Sequence, residues 1–234
     1  MASLLAALAV AAGVAAQAVT GFGFSLVSAP FLIAAYRAPA GVQLNLVLSA
    51  AVNVAVLARE RRHADRRAAA LLLAPALVAV VPAAYVVRRV SRGPLTVAAG
   101  AVCLAAVAAL ASGRRFRRGS GPAGIAATGL VSGAMNVVAG ISGPPVVLFA
   151  LNAAWPPSRL RPTMQLFFLG LNVLTLASLG LPHRLPPALL LGFAGGLLAA
   201  RLVGHRPSPE AVRRGTLLLA GLGSAVAIAR GLAG

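Results

Sequence analysis

Lysine is absent from this chain of 234 residues, acidic residues number 3, and cysteine occurs once. Glu60, Asp65 and Glu210, like His63, His183 and His205, all fall in short polar segments between apolar runs, which are themselves almost free of ionisable groups. A lone Cys103 inside an apolar run excludes an intrachain disulfide and any metal framework built on cysteine. All 21 basic residues are arginine. Arginine and lysine anchor loops about equally well, so the missing lysine reads as compositional bias.

What the chain has in excess is apolar surface. With 59% hydrophobic residues, 10% charged residues and a mean hydropathy of +0.90, it is more apolar than a water-soluble domain can bury. An integral membrane protein follows. The formal net charge of +18 suggests a nucleic-acid surface. Yet the arginines cluster at 59–67, 88–92, 114–118 and 201–214, between apolar runs, with no basic face interleaved with aromatics. Anionic lipid headgroups are the expected partner of this charge, and nucleic acid is not. The first 18 residues resemble a signal peptide in their Ala/Leu content but lack a basic leading segment, so a retained first helix is expected.

A helix needs about 20 apolar residues to cross a bilayer. By that ruler the candidates are 3–20, 24–36, 41–58, 68–87, 94–112, 122–139, 144–155, 160–181, 187–203 and 214–232. Segments 24–36 and 144–155 are too short to cross upright, and each directly follows a Gly-rich break. They read as second arms of hairpins or as re-entrant segments, leaving seven to nine crossings. If each broken pair counts as one crossing, the alternating loops hold about 10 and 11 arginines, and the positive-inside rule leaves orientation open.

The two breaks match. Gln17 precedes Gly21-Phe22-Gly23-Phe24-Ser25 by four positions, and Asn136 precedes Gly140-Ile141-Ser142-Gly143-Pro144-Pro145 by the same four. On the helix after each break an amide recurs, Asn45 at 24 positions and Gln165 at 25 positions beyond the leading glycine. Each half then ends in three further apolar spans. The expected organisation is an all-α polytopic membrane protein of two repeat halves, 1–112 and 122–234, joined by a basic linker at 113–121. Each half holds one Gly-rich broken hairpin plus three helices. If the hairpin enters and leaves on one side the halves are inverted, the arrangement of many secondary transporters and the one favoured here.

Irregular backbone survives at membrane depth only where protein or a water-filled cavity satisfies it. Glycine allows close approach of a solute to the main chain, and a helix starting after a break points free N–H groups into the gap. Pro144 and Pro145 suit such a start. Two facing N-termini, with Gln17, Ser25, Ser28, Asn45, Asn136, Ser142 and Gln165 as neutral donors, fit a small anion without a formal charge. Taken singly, each of these residues fits helix packing equally well. Gly129/Gly133 and Gly192/Gly196 have the spacing of close helix contacts. Without carboxylate or imidazole in a span, a buried proton relay and a metal site are both disfavoured, and no cofactor is called for.

At these residues the chain resembles the TauE/SafE family of sulfite exporter-like membrane proteins. The resemblance rests on Gly21 to Pro30, on Gly140 to Pro145, and on Leu160-Arg-Pro-Thr-Met-Gln-Leu-Phe-Phe168, similar to an Arg-x-Thr segment that opens the following helix. It implies a multi-pass protein of the inner or plasma membrane that moves small sulfur-containing or organic anions such as sulfite or sulfonates. The two breaks would line the substrate site, with Arg161 and Thr163 as the Arg-x-Thr pair. Arg161 also fits a headgroup anchor at a helix end. A non-transporting membrane partner or assembly subunit is the alternative function; an intramembrane enzyme would need an acid, base or nucleophile at depth that the runs lack. Substrate, direction, coupling and the presence of a homo-oligomer are left open by the sequence.

Overall fold

A computed structural model describes residues 2–112, 121–203 and 209–233. The 113–121 linker, save Gly121, and His205 therefore lie outside the described residues. Ten α-helices are described and no strand: α1 (Ala2–Thr20), α2 (Phe24–Tyr36), α3 (Ala40–Glu60), α4 (Arg66–Val87), α5 (Arg92–Ala111), α6 (Pro122–Ala139), α7 (Gly143–Asn152), α8 (Pro157–Leu179), α9 (Pro187–Val203) and α10 (Pro209–Leu232). A 3-10 turn, Arg61–His63, links α3 to α4. Six of these helices are long and apolar enough to cross a membrane. The expected short arms are the short helices α2 and α7, of 13 and 10 residues. Where helices start earlier than hydropathy suggests, proline sits in the first turn: Pro157 opens α8 and Pro209 opens α10. A proline there forfeits only an N–H with no intrahelical partner.

Glycine fixes how the helices pass one another. A Cβ on Gly192 would strike the Ala7 carbonyl oxygen and one on Gly196 would lie 2.6 Å from that of Ala11, so α9 and α1 run in the same direction. Gly129 meets Leu72 at its carbonyl oxygen (2.5 Å) and Gly133 meets Ala76 likewise, making α6 and α4 parallel too. Both pairs with small-residue spacing are close-packing seams. In contrast α5 and α10 are antiparallel: Gly93 approaches Gly231, and Gly100 approaches Ser224 and Ile228. The same holds for α3 and α8, where Gln43 reaches the carbonyls of Leu179 and Gly180 while Ser49 meets Asn172.

These directions place the C-termini of α3, α5, α7 and α9 and the N-termini of α4, α6, α8 and α10 at one end of the bundle. The pair α1–α2 enters and leaves at the other end. Among the described residues the first end carries ten arginines, Arg59, Arg61, Arg62, Arg66, Arg67, Arg159, Arg161, Arg201, Arg213 and Arg214, and the opposite end six, Arg37, Arg88, Arg89, Arg92, Arg184 and Arg230.

The two halves pack unequally. Helix α2 lies closely against α1, α3 and α10, whereas its counterpart α7 is held mainly by α6 and touches α5 and α8 only lightly. The larger apolar core joins α2–α8 and α10 around Ile33, Leu46, Leu72, Phe167 and Leu171; a second cluster joins α1, α2, α3 and α9 around Val10, Phe24 and Leu48.

Candidate functional site

Both breaks are built the same way. Gly21 (φ 78°) and Gly140 (φ 67°) sit in the left-handed region that ends a helix at little cost only for glycine. The Gly21 N–H donates to the carbonyl of Gln17 at 2.8 Å, and that of Gly140 to the carbonyl of Asn136 at 2.9 Å. The four-residue spacing between amide and glycine is thus the closing turn of a helix. It leaves the amide side chain one turn before the gap.

From there the side chains join across the molecule. Gln17 Nε2 donates to Asn53 Oδ1 and to Gln165 Oε1, both at 2.8 Å, and Gln17 Oε1 accepts from the Phe24 backbone N–H at 3.1 Å. Gln165 Nε2 donates to the Gly21 carbonyl at 2.6 Å; reciprocally, Asn45 Nδ2 donates to the Gly140 carbonyl at 2.9 Å. Each amide thereby satisfies the carbonyl freed by the other half's break. In the second half Asn136 Nδ2 donates to Asn172 Oδ1 at 3.2 Å and to Thr175 Oγ1 at 3.0 Å. Ser28 donates to Asn45 Oδ1 at 2.6 Å, Asn45 Nδ2 also reaches Ser25 Oγ at 3.1 Å, and Asn172 Nδ2 reaches Ser49 Oγ at 3.0 Å.

A cavity of about 30 Å³ lies inside this network, lined by Gln17, Phe22, Gly23, Ser25, Leu26, Ser49, Leu110, Ile141, Ser142, Gly143, Pro144 and Phe168. Its polar groups are neutral amides and hydroxyls, and among the described residues no ionisable side chain lines it. At about 10–15 Å³ per water it holds two or three waters in this conformation, so an oxyanion needs it wider. Seven of the expected site residues line the cavity: Gln17, Phe22, Gly23, Ser25, Ser142, Gly143 and Pro144. Gly21, Phe24, Asn45, Asn136, Gly140 and Gln165 stand behind them as carbonyl, N–H and amide partners. The Phe24 N–H at the start of α2, expected to be free, is held by Gln17. Pro145 faces a lateral groove between α5, α6 and α7.

Arg161 and Thr163 lie away from the cavity, towards the arginine-rich end. Arg161 Nη2 donates to the Ala18 carbonyl at 2.9 Å, and its Nε faces Glu60 Oε1 at 3.2 Å, off the hydrogen-bond direction. Thr163 Oγ1 accepts the Asp65 backbone N–H at 3.0 Å and donates to the Arg159 carbonyl at 2.6 Å. Arg159 pairs with Asp65 at 2.7 Å and stacks over Trp155 at 4.5 Å. The Arg-x-Thr segment therefore fastens the start of α8 to the α3–α4 connection and the end of α1. The backbone N–H of Ala68, and then Arg159, hold the Asp65 carboxyl below its ordinary range despite partial burial.

The sequence reading overlooked Ser49, Phe168 and Leu110 as lining residues and Thr175 as a network partner. Helical spacing carried a signal for most of them. Asn45, Ser49 and Asn53 recur every four residues on α3, while Gln165, Phe168, Asn172 and Thr175 share one face of α8. Among the described residues Asn53 Nδ2 and Asn136 Oδ1 are buried and find no hydrogen-bond partner, one in each half's share of the network.

A family model described as Sulfite exporter TauE/SafE matches residues 5–227. The chain belongs to the TauE/SafE family. With its six membrane-capable helices, this TauE/SafE protein is a multi-pass membrane protein of a transporter family. No curated protein and no solved structure matches it. Within the TauE/SafE match fall both breaks, the amide network and the Arg161–Thr163 segment.

Proposed function

We propose that the protein is a secondary transporter of small anions, sulfur-containing oxyanions or sulfonates foremost, with its site at the cavity between the two breaks. The observation that carries this reading is the reciprocal tie of Gln165 to the Gly21 carbonyl and Asn45 to the Gly140 carbonyl around a neutral polar cavity. A broken helix at depth supplies main-chain groups and helix-end dipoles to a solute, and neutral donors bind an anion without holding it as a fixed cation would.

Halves 1–112 and 122–234 are read as inverted repeats. Support comes from corresponding helices: α3 with α8 and α5 with α10 cross antiparallel, as a two-fold axis in the membrane plane requires. Alternating access then follows by rocking of one half against the other. Among the described residues no titratable group lines the cavity, so coupling through a carboxylate or imidazole at the site is not part of this reading. A plasma or inner membrane is the proposed location.

The test is flux of labelled sulfite, sulfate and a small sulfonate into liposomes carrying the purified protein, beside Gly143→Leu. Saturable flux of one anion, lost in the variant, supports transport. No flux of any of them from folded protein supports the partner-subunit reading instead.

A further inference from the structure

A second cavity, of about 310 Å³, adjoins the first at the arginine-rich end. Phe22, Leu26 and Leu110 line both cavities and form the wall between them. The outer cavity is otherwise bounded by α1 through Thr20, α7 through Leu151 and Asn152, α8 through Leu160 and α10 through Arg213 and Thr216. One of its walls is α7, which is loosely held, whereas α2 is packed closely against α1, α3 and α10.

Among the described residues that line it, Arg213 carries the charge. The guanidinium donates through Nη2 to the Leu110 carbonyl at 2.9 Å, fixing it beside the apolar wall. Glu210 lies 3.6 Å from Arg213 Nη1 but is also bound by Arg214 at 2.9 Å, so two cations share one carboxylate and the mouth keeps a net positive charge. Such a charge in a cleft raises the local concentration of anions over roughly a Debye length of 8 Å.

The end on which this cavity opens follows from arginine placement. Ten arginines against six among the described residues mark it as the arginine-rich end. Arginine excess in short loops marks the cytoplasmic side.

We infer that the outer cavity is the cytoplasmic entry vestibule for the transported anion, with Arg213 its first charged contact and Phe22, Leu26 and Leu110 the apolar gate to the site. This rests on the transport reading and adds a side, a route and a residue to it. Arg213 acts outside the central site, so its loss weakens capture and leaves the later steps of turnover intact.

Two measurements test it. Asn152→Cys is treated with a membrane-impermeant thiol reagent in inside-out and right-side-out vesicles, with the wild type, whose Cys103 is buried, as control. Labelling in inside-out vesicles alone is expected; labelling only in right-side-out vesicles overturns the orientation. Anion uptake into inside-out vesicles is then compared for wild type, Arg213→Gln and Arg213→Lys. We expect KM to rise about tenfold in Arg213→Gln with kcat unchanged, and Arg213→Lys to recover most of the loss. Wild-type flux with an unchanged KM in Arg213→Gln refutes the vestibule alone. A wild type that carries no anion refutes the transport reading, and the vestibule with it.

Discussion

Gln165 on α8 donates its side-chain amide to the main-chain carbonyl of Gly21 at 2.6 Å, so the break in the first half is completed by a residue of the second. Asn45 does the same for Gly140 from the other direction. Neither glycine carbonyl is satisfied within its own half. The two halves therefore hold each other's irregular backbone in place, and whatever moves one half strains the other's site.

Replacing Gln165 by Leu should leave the Gly21 carbonyl unpaired and remove a partner of Gln17. Interhelical hydrogen bonds in membranes contribute about 0.6 to 2 kcal/mol, and an orphaned buried carbonyl adds to the loss. The expected result is a lower Tm in detergent and loss of flux. In a double-mutant cycle, Gln165→Leu and Gln17→Leu should prove non-additive by more than about 0.5 kcal/mol. Additive effects would mean the hydrogen bond contributes nothing.

Gly21 and Gly143 should respond differently to alanine. At Gly21, φ is 78° and an added Cβ would meet Arg161 Cγ at 2.7 Å, so Gly21→Ala is strained twice over and should lower stability by about 1–3 kcal/mol. At Gly143 the nearest contact is Phe168 Cζ at 3.7 Å, an ordinary packing distance. Gly143→Ala should fold normally yet reduce flux, because its methyl enters the cavity. Thermal melting alongside flux separates the two effects.

Gly133 has a purely architectural role. A Cβ there would strike the Ala76 carbonyl, forcing α6 away from α4. Gly133→Leu should cut the yield of folded protein severely while Gly195→Leu, with open space around it, should not. Equal yields by size-exclusion chromatography in detergent would contradict this seam.

Acid should loosen the start of α8. The Asp65 carboxyl titrates below its ordinary value when folded, so the unfolded state binds more protons and stability rises with pH through that window. The contribution is complete above the unfolded value of about 3.9 and is lost as pH falls through the lower folded value. Asp65 and Arg159 are partly exposed to water, which makes the effect small. Asp65→Asn should flatten the decline in Tm between about pH 5 and pH 2; an unchanged slope would assign the acid sensitivity elsewhere.

Much of the candidate site's geometry was legible in the chain because it is written in glycine, proline and amides. The Gln17–Gly21 and Asn136–Gly140 spacing marks a helix-ending turn, and such turns are local. Asn45 and Gln165 stood out as polar residues in apolar helices, although their crossing over to the opposite break depends on how the halves face. Ser49 and Phe168 were missed, since serine and phenylalanine in a membrane helix have many packing roles. Orientation was illegible for a physical reason. Loop counting treats a broken pair as one crossing, whereas the directions of α1 and α9 show that α1 and α2 enter and leave at one end. That moves the loops between the two broken pairs to the other side of the count, and the second pair, turning back in the same way, leaves the later loops where they were. Arg161 carried a charge near a break, but sequence does not reveal that Glu60 and the Ala18 carbonyl hold it at a helix junction.

A substrate site between the breaks is tested by flux into liposomes, with purified wild-type protein beside Gly143→Ala and sulfite, sulfate and a small sulfonate as labelled solutes. Saturable movement of at least one of these anions is expected, with its marked reduction in the variant at unchanged Tm. Equal flux in both proteins would contradict a substrate site between the breaks.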